Sequence, residues 1–203
     1  MLPTDITPAS ILLARPPHNG AAKLVCQGPP SSPNAKSAPL SALSQSKPSQ
    51  IMGTRRKREL VFADTPNLFK SAQYCLGNEF VPNYQELLNI GRSKGVLVSA
   101  YALVNDGLPA HFVAAFVRSG YRVLRSEGKD CDYRLVDQVI AAHRSGDTFL
   151  ICSGDHRYAE LSLALRGLNK FVIVSAVESS CSRKLLASAN EYISLPVRRR
   201  LAG

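Results

Sequence analysis

"TFLICSGDHRYAELSLALRGLNKFVIVS", residues 148–175, decides the fold. Phe149-Leu150-Ile151-Cys152 is an unbroken apolar run, which suits a strand covered on both faces. It stops at Ser153-Gly154-Asp155, and a helix is predicted over 156–166, stopped by Gly167. A second apolar run, 170–175, follows. Strand, helix and a second doubly covered strand form the unit of a parallel sheet packed between helices.

The pattern extends in both directions from this unit. Strands are predicted at 60–64, 96–104, 121–126, 147–152, 170–175 and 191–195. Helices are predicted between them at 68–76, 83–93, 109–118, 132–144, 156–166 and 181–189. Gly91, Gly95, Gly120 and Gly146 supply further helix stops. Alternation over residues 59–196 therefore predicts one three-layer α/β/α sandwich with a central, mainly parallel sheet.

The 203-residue chain carries a formal charge of +10, unevenly spread. Residues 1–58 hold eight Lys/Arg against Asp5 alone, whereas 59–203 are only mildly basic. Residues 1–50 hold nine of the 13 prolines and eight serines, too little apolar surface to offset chain entropy. Residues 1–58 are thus read as a disordered basic tail. A targeting peptide and a start at Met52 are the competing readings. Residues 197–203, with Arg198-Arg199-Arg200, are read as a basic C-terminal tail. Basic ends attract polyanions by counterion release, so RNA or DNA is a candidate partner; the competing reading is a merely solvated, disordered end. Trp is absent and aromatics are few, which argues against a stacking-based binder of single-stranded nucleic acid, since that needs several exposed rings. No apolar run approaches the ~18 residues of a membrane span, so no membrane partner is expected. The five Cys form no C-x-x-C pair, which points to a reducing, cytoplasmic setting and to neither a disulfide framework nor a zinc site. A homodimer or a protein partner is left open.

Three acidic segments follow strand ends. Asp64 closes "LVFAD", Asp155 follows the strand ending at Cys152, and Asp130 and Asp132 follow the strand ending at Ser126. In an open parallel sheet, ligands sit at the carboxyl ends of the strands. Carboxylates gathered there suit a hard cation, Mg²⁺ or Mn²⁺. Each acid also has a local reading, as an Asx turn before Pro66 for Asp64 and as helix caps for Asp132 and Asp155. Asp137 either supports that site from behind its ligands or is a salt-bridge partner. Lys129 either neutralises phosphate or pairs with nearby acids. His156 either serves the site, as a ligand or proton donor, or points outward from a first helical turn. His111 and His143 are read as surface or half-buried. "SSCSRK", residues 179–184, either lines the same rim or simply starts a helix. The G-x-S-x-G, G-x-G-x-x-G and P-loop motifs are all absent, which removes serine-hydrolase, dinucleotide and P-loop readings.

Four segments in order resemble the NYN domain, a branch of the PIN-like ribonuclease superfamily. "VFADTPNLF" is similar to its opening strand ending in D-x-x-N, and "GYRVLRSEGKDCDYRLVDQVIAA" to its K-x-x-D segment. The stretch quoted first resembles its strand–S-G-D–helix–strand segment, with an aromatic near the third position after the acid. "SRKLLASANEYISL" resembles its closing segment. The resemblance spans residues 59–196 and implies a metal-dependent ribonuclease site. It implies Asp64, Asp132 and Asp155 as catalytic, metal-binding acids using Mg²⁺ or Mn²⁺. Asn67 would orient a substrate phosphate or support Asp64, and Ser153 and the amides near Gly154 would hold a carboxylate or a phosphate. Apart from the resemblance, Arg157 and Lys129 are read as substrate contacts and Asp130, Asp137 and His156 as residues supporting the acids. Two departures stand out. Relatives often read S-G-D-x-D where this chain has Arg157, and A-D-x-F/Y where it has Ala189-Asn190-Glu191-Tyr192. Both lower the expected negative charge and favour one metal ion over two. The alternative they support is a catalytically weak or inactive RNA-binding or partner-docking module.

Overall fold

The computed structural model describes residues 55–126 and 131–200, with the backbone alone at 131 and 132. Of the tail expected over 1–58, residues 1–54 lie outside the described residues, as do Lys129 and Asp130, and its last residue, Arg58, instead opens the first strand. In chain order the elements are β1 (Arg58–Asp64), α1 (Thr65–Leu76), β2 (Phe80–Pro82), α2 (Tyr84–Lys94), β3 (Val96–Asn105) and α3 (Ala110–Ser119). There follow β4 (Arg122–Ser126), α4 (Cys131–Ala142), β5 (Thr148–Cys152), α5 (Tyr158–Gly167) and β6 (Phe171–Ala176). A 3₁₀ turn (Glu178–Ser180), α6 (Arg183–Ser188), β7 (Glu191–Ser194) and β8 (Val197–Arg199) complete it.

Alternation along β1 builds the layers. Leu60 and Phe62 face one core, with Leu135 and Val139 of α4, Tyr158 and Leu165 of α5, and Leu185 of α6. Val61 and Ala63 face the other, with Leu68 and Ala72 of α1 and Leu87 and Leu88 of α2. Each fully buried Leu or Phe contributes about 1.5–3 kcal/mol. Tyr101, Phe62 and Phe149 stack across three neighbouring strands at centroid spacings of 5.2 and 6.1 Å. Side chains two apart share a face, so the same alternation sends Asp64 to the α4–α5 side.

The main sheet runs β4-β3-β1-β5-β6-β7, with every pair parallel. The expected sandwich is thus the observed one. From β1 the chain turns outward to β3 and β4, then returns to the opposite side of β1 as β5. The switch point therefore lies between β1 and β5, the two strands that end at Asp64 and just before Ser153. At the other end of these strands, Arg58 grips Asp147. Its backbone N–H and Nε donate to Oδ2 at 3.0 and 3.2 Å, and a terminal nitrogen donates to Oδ1 at 3.2 Å. These bonds hold the Asp147 carboxyl down at about 2.

The ends of the chain correct one expectation. Val197–Arg199, read as the start of a tail, pair antiparallel with Phe80–Pro82 in a two-stranded ribbon. Three-residue strands are too short to show a period, and Pro82 and the arginine run both read as loop or tail.

Candidate active site

Asp64 is 2% exposed at the end of β1. Its Oδ1 accepts the Asn67 backbone N–H at 3.2 Å, which caps α1. Oδ2 accepts the hydroxyls of Ser153, at 3.0 Å, and Tyr158, at 3.3 Å. Tyr158 was not singled out as a site residue. The signal was the aromatic three positions after Asp155, which places its ring at the first turn of α5, on the Asp64 side of the sheet. Thr65 fixes the turn out of β1 by donating to the Leu103 carbonyl at 2.6 Å.

The loop after β5 is tied to the same point. Ser153, fully buried, donates to Asp64 and accepts the Asp155 backbone N–H at 3.2 Å. Gly154 donates its N–H to the Asn67 side-chain carbonyl at 2.9 Å, and its own carbonyl accepts from Ser182 N–H at 2.9 Å. A Cβ on Gly154 would stand 3.0 Å from the Ser180 carbonyl oxygen, so this close approach of two loops accounts for the glycine.

Asp155 has the His156 ring and the Arg157 guanidinium beside it. His156 Nδ1 lies 3.1 Å from Oδ1, and Arg157 Nε lies 3.3 Å from Oδ2. The Arg157 backbone N–H also donates to Oδ1 at 3.0 Å. Asp64, foreseen as an Asx turn, caps α1 instead, and Asp155, foreseen as a helix cap, takes the Arg157 N–H in a turn before α5, whose cap position is Arg157 itself; both acids stand at the carboxyl end of the sheet.

That rim opens into a cleft of about 530 Å³ lined by Asn67, Gly154, Asp155, His156 and the 179–184 loop. The loop supplies Ser179, Ser180, Ser182, Arg183 and Lys184. Ser182 makes no side-chain capping bond to α6, so among the described residues its hydroxyl serves no local cap. Cys181 also lines the cleft, but burial pushes its thiol up to about 11, and the buried Cys152 thiol is pushed higher still. Neither is a thiolate nucleophile at neutral pH.

Other expected residues lie elsewhere or outside the description. Asp132 is the second residue of α4, and its side chain is outside the described residues, as are Lys129 and Asp130. Asp137 is exposed on α4, with no hydrogen bond or ion pair to the rim among the described residues. His111 is exposed against Phe112, and half-buried His143 lies 2.6 Å from the Ile140 carbonyl, as expected of them. Asn190 was read as a lost site acid. It sits at the amino end of β7, where its backbone N–H donates to the Val172 carbonyl and its side-chain carbonyl accepts from Val172 N–H, at 2.8 and 2.9 Å. That is the opposite end of the sheet from Asp64, so the Asn190 departure removes nothing from the rim. Glu191 pairs with Lys94 at 2.6 Å.

The donor set is oxygen-only, the chemistry of a hard cation. Mg²⁺ commonly takes one or two carboxylates and completes its shell with water and substrate phosphate, so the chemistry of Asp64 and Asp155 suits such an ion. Among the described residues no group of three or more His, Cys, Asp or Glu comes together.

These features define the class: a doubly wound parallel α/β domain with carboxylates on the rim of its switch point. The chain matches the family model of the NYN domain over residues 58–196 and belongs to that family, which has a PIN-like, nuclease-type fold. Among solved structures it is similar to VPA0982, a protein of unknown function from Vibrio parahaemolyticus. The TM-score is 0.65 at 16% identity, covering 72% of this chain and 97% of that one. No match is found among curated proteins. No helix of the described residues is long and apolar enough to cross a membrane.

Proposed function

We propose that this chain is a metal-dependent ribonuclease that hydrolyses phosphodiester bonds at the Asp64–Asp155 rim. The observation that carries the reading is the Ser153 hydroxyl. It binds the Asp64 carboxylate and the Asp155 backbone together at the switch point, beside a cleft lined with hydroxyls and cations. Asp64, Asp155 and Asp132 would hold Mg²⁺ or Mn²⁺. Such an ion supplies Lewis acidity at the phosphoryl oxygen and lowers the pKa of water.

The remaining work falls to the chain. Ser153, Tyr158 and the Asn67 N–H hold Asp64 in one orientation before substrate arrives, which is the preorganisation electrostatic catalysis requires. Asn67 fixes Gly154, and so fixes the height of the loop that bears Asp155. Arg157, Arg183 and Lys184 bring positive charge to a phosphate that becomes more negative as it is attacked. The basic residues near both ends raise the local RNA concentration without reading sequence. The test is cleavage of labelled single-stranded RNA with Mn²⁺, parent against Asp155→Asn. We expect at least a hundredfold loss in the variant; equal rates would remove Asp155 from the chemistry.

One observation favours a second reading, a catalytically weak or inactive RNA-binding or docking module. Both oxygens of Asp155 already face His156 and Arg157. That module would bind RNA equally well after chelation and after Asp155→Asn, and would cleave nothing.

A further inference from the structure

Three of the large apolar side chains left exposed on the domain lie on one helix, α1: Phe69, Tyr74 and Leu76. Tyr74 is 92% exposed and contributes nothing to the core. Helical spacing places Asn67, Lys70 and Tyr74 on one stripe, at i, i+3 and i+7. Asn67 lines the cleft, so the stripe begins at the candidate active site and runs roughly 10 Å away from it.

The β2–β8 ribbon brings cations to the other flank of the solvent-facing half of α1, where Phe69 stands about 140° around the helix from Tyr74 with Lys70 between them. Arg200 lies over the Phe69 ring, 5.4 Å from its centroid, and Arg199 over the Phe80 ring at 5.7 Å. The ribbon fixes this placement: Phe80 pairs with Arg199, and Arg200 N–H donates to the Glu79 carbonyl at 2.7 Å. Lys70 and Arg198, Arg199 and Arg200 are all exposed, against one nearby acid, Glu79. The patch is therefore aromatic and net positive.

We propose that α1 and the β2–β8 ribbon form a track for the single strand of RNA flanking the scissile phosphate, with Tyr74 as a stacking platform and Lys70, Arg199 and Arg200 as phosphate contacts. The proposal rests on the ribonuclease reading for its substrate and adds where the strand runs. Exposed rings interleaved with cations are how proteins hold unpaired strands, because every base offers a π-face and every nucleotide a charge. A guanidinium already held over a ring loses less freedom when it takes a phosphate. The polyanion matches the sign of the patch, whereas an apolar protein partner would leave four cations unpaired. Base-paired RNA keeps its bases stacked inside the helix, out of reach of Tyr74.

The test uses the full chain, with EDTA present to suppress cleavage, and a short fluorescein-labelled oligouridylate. Anisotropy gives affinity across a salt series for the parent, Tyr74→Ala and Arg199→Gln/Arg200→Gln; circular dichroism confirms that each is folded. Tyr74→Ala is expected to weaken binding about tenfold without changing the salt slope. The double variant is expected to flatten the slope by about 1.4, roughly 0.7 per charge on a single strand. With Mn²⁺ present, KM for cleavage rises by matching factors. Variants that bind oligouridylate as the parent does, at every salt concentration, overturn the track and assign the patch to a protein partner. If the parent cleaves and the variants keep its KM, the track falls and the ribonuclease reading stands. If the variants lose affinity but the parent never cleaves, the track stands and the ribonuclease reading falls. A parent with no affinity for the oligonucleotide overturns both.

Discussion

Ser153 has one hydroxyl hydrogen, and Asp64 receives it; its oxygen is then left to accept the Asp155 N–H. One small side chain thus serves both carboxylate-bearing loops, which explains a serine where the apolar strand ends. A quite different acid stands at the amino end of β1. Glu59 is 1% exposed, and neither of its carboxylate oxygens has a hydrogen-bond partner. Burial raises its pKa; the nearby Thr148 hydroxyl and lysines 57 and 94 offset this only in part, and Asp147 adds to the rise. The folded chain holds a proton that the unfolded chain releases, so this contribution is complete below the unfolded Glu value of about 4.3. It is lost as pH rises through the folded value. Glu59→Gln, which cannot ionise, is therefore expected to melt about 2–4 °C above the parent at pH 7 and with the parent at pH 4. Thermal melts at the two pH values check this; an equal difference at both would mean that ionisation is not the cause.

At the scale of elements, much was legible because each strand of the main sheet announces itself twice, by an apolar run and by the turn residues that stop it. β5 and β6 stand within a residue of their expected bounds because Thr148–Cys152 and Phe171–Ala176 are buried on both faces. The β2–β8 ribbon was not legible, since its pairing joins residues more than 100 apart through strands of three residues. Asp64 and Asp155 were legible as strand-end acids, but the Tyr158 bond to Asp64 was not, because it depends on how α5 sits on the sheet. The misreading of Asn190 has the same root: spacing along the chain does not say which end of a strand a residue occupies. The contact of the β5–α5 loop with the 178–182 segment offers a test at this scale. Gly154→Ala must push the Ser180 carbonyl away by a few tenths of an ångström. It is expected to cost about 1 kcal/mol of stability but more than tenfold in RNA cleavage, since displaced catalytic groups lose rate steeply. Parallel measurement of Tm and cleavage rate separates the two; a rate loss no larger than the stability loss predicts would show that the loops need no such alignment.

Across the molecule, the two cores divide the labour. The α4–α6 side stacks Phe62, Tyr101 and Phe149 beneath the face on which Asp64 ends, and the α1–α2 side anchors the helix that leads from the rim toward the ribbon. Both meet at the peptide of Gly154, which is fastened on its two sides, to Asn67 and to Ser182. Such a doubly fastened unit cannot breathe by halves. For water to reach the Gly154 amide hydrogen, α1 and the β5–α5 loop must part, and release of the Ser182 amide draws on the same junction. Native-state deuterium uptake at these two amides is therefore expected to report one opening free energy, above that of the exposed amides of β8. Two unrelated uptake rates would mean that the rim opens in independent pieces.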